Sequence, residues 1–189
     1  MLLNKESVLD KGFIAPLEFS GGGRLLQEIQ NEYFTARNNF KLLKLASASL
    51  VIKCPLFVQL NLQQYGLDVI TTPSDNIEAY IPDVSMIEGN SLAERQQIAK
   101  YIQTTTDALL LNQVGLSMDG GSDFTSQLLM PITVYNEIIV HGKLENWIKY
   151  LKQPSLPKEV ELYRTAIYKL LETEWKNIGV LLTIVGGKT

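Results

Sequence analysis

Apolar positions along the chain follow two spacings, and the switches between them mark out strands and helices. Residues 7–19 carry β-type side chains together with Gly12 and Pro16, a pattern that predicts one edge or broken strand. Ser20-Gly21-Gly22-Gly23 then interrupts the chain before a helical stretch with Leu25, Leu26, Ile29 and Tyr33 on one face. Residues 46–53 read as a strand, and Pro55 suits the first turn of a helix that Gly66 ends. On that helix Leu56, Phe57, Leu60 and Gln64 are predicted to share a face. Residues 71–76 are a loop by composition, and residues 79–83 a short extended segment.

The second half is more helical. Ser91-Leu92-Ala93-Glu94 is a capping box, which starts a helix expected to reach about Leu111 with Ile98, Ile102 and Leu109 inward. A short helix is expected between Gly120 and Met130, then a strand over 132–140 and a helix over 144–151. Pro157 opens a long last helix with Val160, Tyr163, Ile167, Leu170, Leu171 and Trp175 at helical spacing. The fold class these elements predict is α+β, a small, mostly antiparallel sheet packed with several helices. With no linker or repeat to divide it, the chain is expected to form a single domain, 1–189.

Charge narrows the chemistry. A formal net charge of −3 leaves no basic excess for nucleic-acid phosphates. One cysteine, Cys54, and one histidine, His141, make a zinc site improbable. A Ser-His-Asp triad would have to use His141, which the pattern puts where a strand meets a turn. The triglycine segment lacks both the Lys-Ser/Thr of a phosphate loop and the spaced glycines of a dinucleotide fold. Trp147 and Tyr150, three apart on a helix, read as packing, and Lys143, Lys149 and Lys152 as a solvated basic face. No targeting pattern or membrane-length apolar run is evident, so a cytoplasmic protein is expected.

The order of several short segments carries more. Val8-Leu9-Asp10-Lys11-Gly12-Phe13, Leu50-Val51-Ile52-Lys53-Cys54-Pro55-Leu56-Phe57-Val58, Tyr80-Ile81-Pro82 and Leu129-Met130-Pro131-Ile132-Thr133-Val134-Tyr135 follow one another. So does Asn146-Trp147-Ile148-Lys149-Tyr150-Leu151 with the long helix after it. Together, over about nine-tenths of the chain, they resemble the flavin-dependent thymidylate synthases. The resemblance implies that family's fold and a homotetramer in which FAD and dUMP bind between subunits. It also implies methylene transfer from methylenetetrahydrofolate, with reduced flavin supplying the hydride.

The same register places the family's Arg-His-Arg triplet on Gln64-Tyr65-Gly66, and its following serine on Ser74. A family glutamine becomes Asn61, the arginine after the serine Asn76, and the motif glutamate Thr72. The arginine before the Leu-Pro strand becomes Gln127, and a later one Glu145; the arginine that polarises the uracil falls near Pro154. The flavin-side His-x-Thr-Pro-x-Glu-His stretch falls on residues 39–45. None of Arg24, Arg37, Arg95 and Arg164 occupies a motif position. What remains is a vestigial nucleotide and flavin pocket of Asn61, Gln64, Tyr65, Ser74, Asn76, Gln127 and Lys143, with Lys143 and Lys152 as partial substitutes for lost charge.

The resemblance thus implies a homo-oligomer, a tetramer by family, that has lost thymidylate synthesis and serves a structural, assembly or regulatory role, with a protein partner in view. The alternative is an enzyme of pyrimidine nucleotide metabolism with a remodelled flavin or nucleotide pocket. A third reading is an unrelated α+β binding domain.

Overall fold

A computed structural model describes residues 5–34, 40–72, 77–122, 125, 128–176 and 178–186. Strand β1 (Glu6–Val8) and strand β2 (Gly12–Ser20) form a hairpin where one broken strand was expected. Its turn rests on Leu9, which takes a left-handed φ of 58° that the apolar pattern gave no reason to expect. Pro16 stands opposite Leu50 of the next strand, beside a register shift between Pro16 and Glu18, the bulge setting in which a strand tolerates proline.

Helix α1 (Gly23–Phe34) follows the glycine break and buries Leu26 and Ile29, as its spacing predicts. After a short 3-10 helix (Phe40–Lys44) comes strand β3 (Ser47–Pro55), flanked by other strands and buried on both faces from Ala48 to Ile52. Such double burial explains its unbroken apolar run. Helix α2 (Leu56–Gln63) buries Val58, Gln59 and Leu62 and leaves Leu60 exposed, correcting the face expected for it. Five of its eight residues are apolar and they surround the axis, so spacing alone could not set the phase.

Strand β4 (Asp68–Thr72) was not expected; it takes in Thr71 and Thr72, which composition had assigned to a loop. Helix α3 (Leu92–Met118) carries the predicted capping box. Ser91 Oγ accepts from the Glu94 N–H at 3.1 Å, and Glu94 accepts from the Asn90 N–H at 2.9 Å. The helix runs seven residues past Leu111. Its buried positions are Thr106 and Gln113, whereas Ile98, Ile102 and Leu109 are only half-buried. The short helix expected after Gly120 falls largely outside the described residues.

Strand β5 (Tyr135–Lys143) starts later and ends later than predicted, so His141 lies within a strand rather than at a turn. Helix α4 (Leu144–Leu151), helix α5 (Lys158–Glu174) and helix α6 (Ile178–Gly186) complete the chain, the last of them unanticipated. The five strands form one sheet in the order β1-β2-β3-β5-β4. The β1–β2, β2–β3 and β4–β5 ladders are antiparallel, so the α+β architecture agrees with the expectation. No helix among the described residues is long and apolar enough to cross a membrane.

The residues pack as two compact units. The first spans residues 1–54, 58–73 and 136–189 and holds most of the sheet with α1, α4, α5 and α6. Its centre is built by Trp147, Trp175, Tyr150, Tyr163, Leu50, Ile52 and Ile138, all fully buried. The Phe19 ring meets Trp175 edge-on at 5.6 Å. The second unit, residues 55–57 and 74–135, holds α3 and a small core of Tyr80, Ile87, Val134 and Tyr135. There the Leu56 and Phe57 N–H groups, orphaned at the start of α2, donate to the carbonyls of Val134 and Ile132 at 2.9 and 3.1 Å.

Candidate functional site

The turn that ends α2 is where the resemblance places its signature triplet. Gln64 and Tyr65 close it through N–H bonds to the carbonyls of Asn61 and Leu62, at 3.2 and 3.3 Å. Gly66 ends the helix at φ 70°, a left-handed conformation that favours glycine at a helix C-terminus. Its carbonyl accepts from Asn146 Nδ2 at 2.6 Å. The Tyr65 ring turns inward and packs edge-on against Tyr150, centroids 5.6 Å apart, while Gln64 stays exposed. All three positions are therefore uncharged, and two are committed to intramolecular structure.

Beside the turn lies a buried amide network that sequence reasoning missed. Gln59 Nε2 donates to Thr71 Oγ1 at 3.1 Å, and Gln59 Oε1 accepts from Asn136 Nδ2 at 2.9 Å. The hint of it in the sequence is a glutamine set between Val58 and Leu60 on a helix whose other polar residues are Asn61 and Gln63. Asn61 Oδ1 is buried and finds no hydrogen-bond partner among the described residues. Thr72, at the motif glutamate position, donates from Oγ1 to the Glu137 carbonyl at 2.7 Å. Ser74, Asn76 and Gln127 lie outside the described residues. Lys143 is exposed, at the position before α4, and makes no side-chain cap there.

On the same sheet Ser49 Oγ and His141 Nδ1 are 2.9 Å apart, and Asp68 stands directly across from His141 in the β4–β5 ladder. Ser49 is buried, and no hydrogen bond or ion pair among the described residues links Asp68 to the ring, so the row reads as cross-strand pairing.

Two groups next to the turn have ionisation pushed upward by burial. The Cys54 thiol is withdrawn from solvent, and desolvation raises its pKa against a small opposing effect of a backbone hydrogen bond near Gln59. Desolvation likewise raises the Tyr150 phenol, helped by the nearby Cys54. Both groups are neutral when folded at a pH where the unfolded chain ionises them. Stability is therefore full below the ordinary thiol value of about 8.5 and falls as pH rises beyond it, by roughly 1.4 kcal/mol per pH unit for the thiol. Urea melts between pH 7.5 and 10.5 should show this decline, and Cys54→Ser should flatten its first part; a pH-independent midpoint would contradict it.

These residues do not fit a flavin diphosphate. The three positions from which the resemblance would draw cations hold an amide, a packed phenol and a glycine, and none of them supplies a positive charge.

No family model matches the chain, and neither does any curated protein. Among solved structures its fold is shared with that of a nucleotide methylase. That structure is the UMP/dUMP methylase PolB from Streptomyces cacaoi, bound with 5-Br UMP. The two align with a TM-score of 0.78 over 95% of this chain and 97% of the other, at 12% identity. At that identity the likeness establishes a common fold.

Proposed function

We propose that the chain is a divergent relative of the flavin-dependent thymidylate synthases that retains the fold and a homo-oligomeric state but no longer makes thymidylate. Its role is structural, assembly or regulatory. The observation that carries this reading is the α2 turn, where the uncharged Gln64, Tyr65 and Gly66 close a helix and the Tyr65 ring packs on Tyr150. A nucleotide phosphate is held by charge-assisted hydrogen bonds worth about 1.5–3 kcal/mol each. Removing three such donors weakens binding by roughly three orders of magnitude or more. Preorganised positive charge near the uracil is also the largest kind of catalytic contribution, and neutral side chains do not supply it.

A second reading, an enzyme of pyrimidine nucleotide metabolism with a remodelled pocket, is favoured by the uridine nucleotide bound to the protein that shares the fold. The purified protein separates the two. The first reading expects a colourless preparation and an unchanged melting temperature with dUMP or UMP at millimolar concentration. A flavin band near about 450 nm, with dUMP converted to dTMP in the presence of NADPH and methylenetetrahydrofolate, would overturn it. A nucleotide-dependent rise in melting temperature alone would favour the second reading.

A further inference from the structure

Three large apolar side chains that the fold leaves exposed meet at one place. Ile77, Leu111 and Val114 are 47%, 73% and 46% accessible, and with Leu110 they wall a groove of about 440 Å³ along helix α3. The fifth lining residue is a carboxylate, Asp107. Positions 107, 110, 111 and 114 follow helical spacing, so they share one side of α3, with Asp107 at the end nearer its N-terminus. All five residues belong to the second compact unit. A mostly apolar concavity of roughly 300–1,000 Å³ with very few polar groups is the ordinary form of a small-molecule site. The polar group here is held in place. Gln103, one turn earlier, donates from Nε2 to both Asp107 carboxylate oxygens, at 3.1 Å each. An ionised carboxylate offers about four acceptor sites, so about two remain open. No lining residue is basic, and no ion pair reaches Asp107 among the described residues.

We propose that this groove binds a small primary ammonium ion carried on an unbranched apolar chain. Charge complementarity selects the head group. The one charged residue of the groove is negative, apolar walls strengthen its attraction by displacing water, and a net charge of −3 favours cations over anions. The N–H donors of an ammonium match the acceptor sites that Gln103 leaves open. Length selects the body. From Asp107 to Val114 the groove runs about 10 Å along the helix, which takes an extended hexyl chain lying over Leu110, Leu111 and Val114. A neutral alcohol of the same length gains the apolar burial without the charge, and a carboxylate of that length meets repulsion. Five lining residues are far short of the roughly 20–30 a side of a protein interface, so the occupant is the free amine rather than a lysine on a partner. The inference is independent of the functional reading, because it uses none of the α2 turn residues.

A methyl-detected NMR titration of the full-length chain tests it. Hexylammonium should shift the methyls of Ile77, Leu110, Leu111 and Val114 saturably and leave that of the fully buried Ile138 in the sheet unmoved. Hexanol and hexanoate should bind about 10-fold more weakly or worse, the difference a charge-assisted hydrogen bond makes. High salt should weaken hexylammonium and spare hexanol. Asp107→Asn should erase the preference for the amine over the alcohol. Its far-UV circular dichroism should match the wild type, because the side chain is exposed. Val114→Trp, which fills the groove, should weaken both ligands. No saturable shift, hexanol binding as tightly as hexylammonium, or a preference that survives Asp107→Asn would each overturn the proposal. Unchanged affinity in Val114→Trp, or shifts scattered over methyls outside the groove, would do the same. A nucleotide response bears on the functional reading alone, so the two fail separately.

Discussion

Trp147→Ala should lower the unfolding free energy by about 3–5 kcal/mol, the range for deleting a fully buried large aromatic. The side chain has no accessible surface. It sits on α4 and reaches the Ala48 carbonyl of β3, with Nε1 at 3.4 Å, and its ring meets Tyr150 edge-on at 6.5 Å. Gly142 of β5 is shaped around it: a methyl there would lie 3.2 Å from the indole nitrogen and 2.2 Å from a Leu67 methyl. One residue therefore joins α4 to strands β3 and β5. Typical domains have only about 5–15 kcal/mol in total. The variant should melt far below the wild type in chemical denaturation, with the slope of the transition preserved. A loss under 1 kcal/mol would mean the site collapses around the gap.

Gly12→Ala is the second large effect and acts through the opposite error, excess volume. A methyl at Gly12 would stand 1.9 Å from Tyr163 Oη, 2.6 Å from the Val8 carbonyl and 2.9 Å from the Lys53 carbonyl. The tyrosine donates to that same Lys53 carbonyl at 2.8 Å, which ties α5 to the sheet at this point. Overpacking usually costs 1–3 kcal/mol, and here about 3 kcal/mol or more is expected, because two of the three obstacles are backbone. Tyr163→Phe removes one obstacle and one hydrogen bond, a loss of about 1 kcal/mol by itself. In the Gly12→Ala background it should rescue only a minor part of the stability. Full rescue in a double-mutant cycle would show that the hydroxyl alone enforces the glycine.

The sequence was most legible where local chemistry and burial agree. The capping box at Ser91 and Glu94, the glycine break before α1, and the spacing of Val160, Tyr163, Ile167 and Leu171 each located a helix. Other features depend on tertiary context. The α2 face could not be phased because apolar residues surround the axis. Strand β4 was hidden because Thr71-Thr72 next to a proline carries loop composition, and among the described residues its strand partner is the distant β5. His141 was misplaced because Gly142 suggested a turn, whereas that glycine serves the close approach of Leu67 and Trp147. Of the candidate site, the turn at Gln64, Tyr65 and Gly66 was located by segment order. The Gln59–Thr71–Asn136 network was not, since it joins residues 12 and 77 positions apart that no local pattern connects.

The solitary thiol of Cys54 has one more consequence. Because β3 is covered on both faces around it, a reagent can reach the sulfur only when that strand opens. The labelling rate of the unmodified chain thus counts excursions of its central strand, with no probe to introduce and no second thiol to confuse the count. The same shielding withholds the sulfur from oxidants, so oxidative damage at this position would mark molecules that had already come apart.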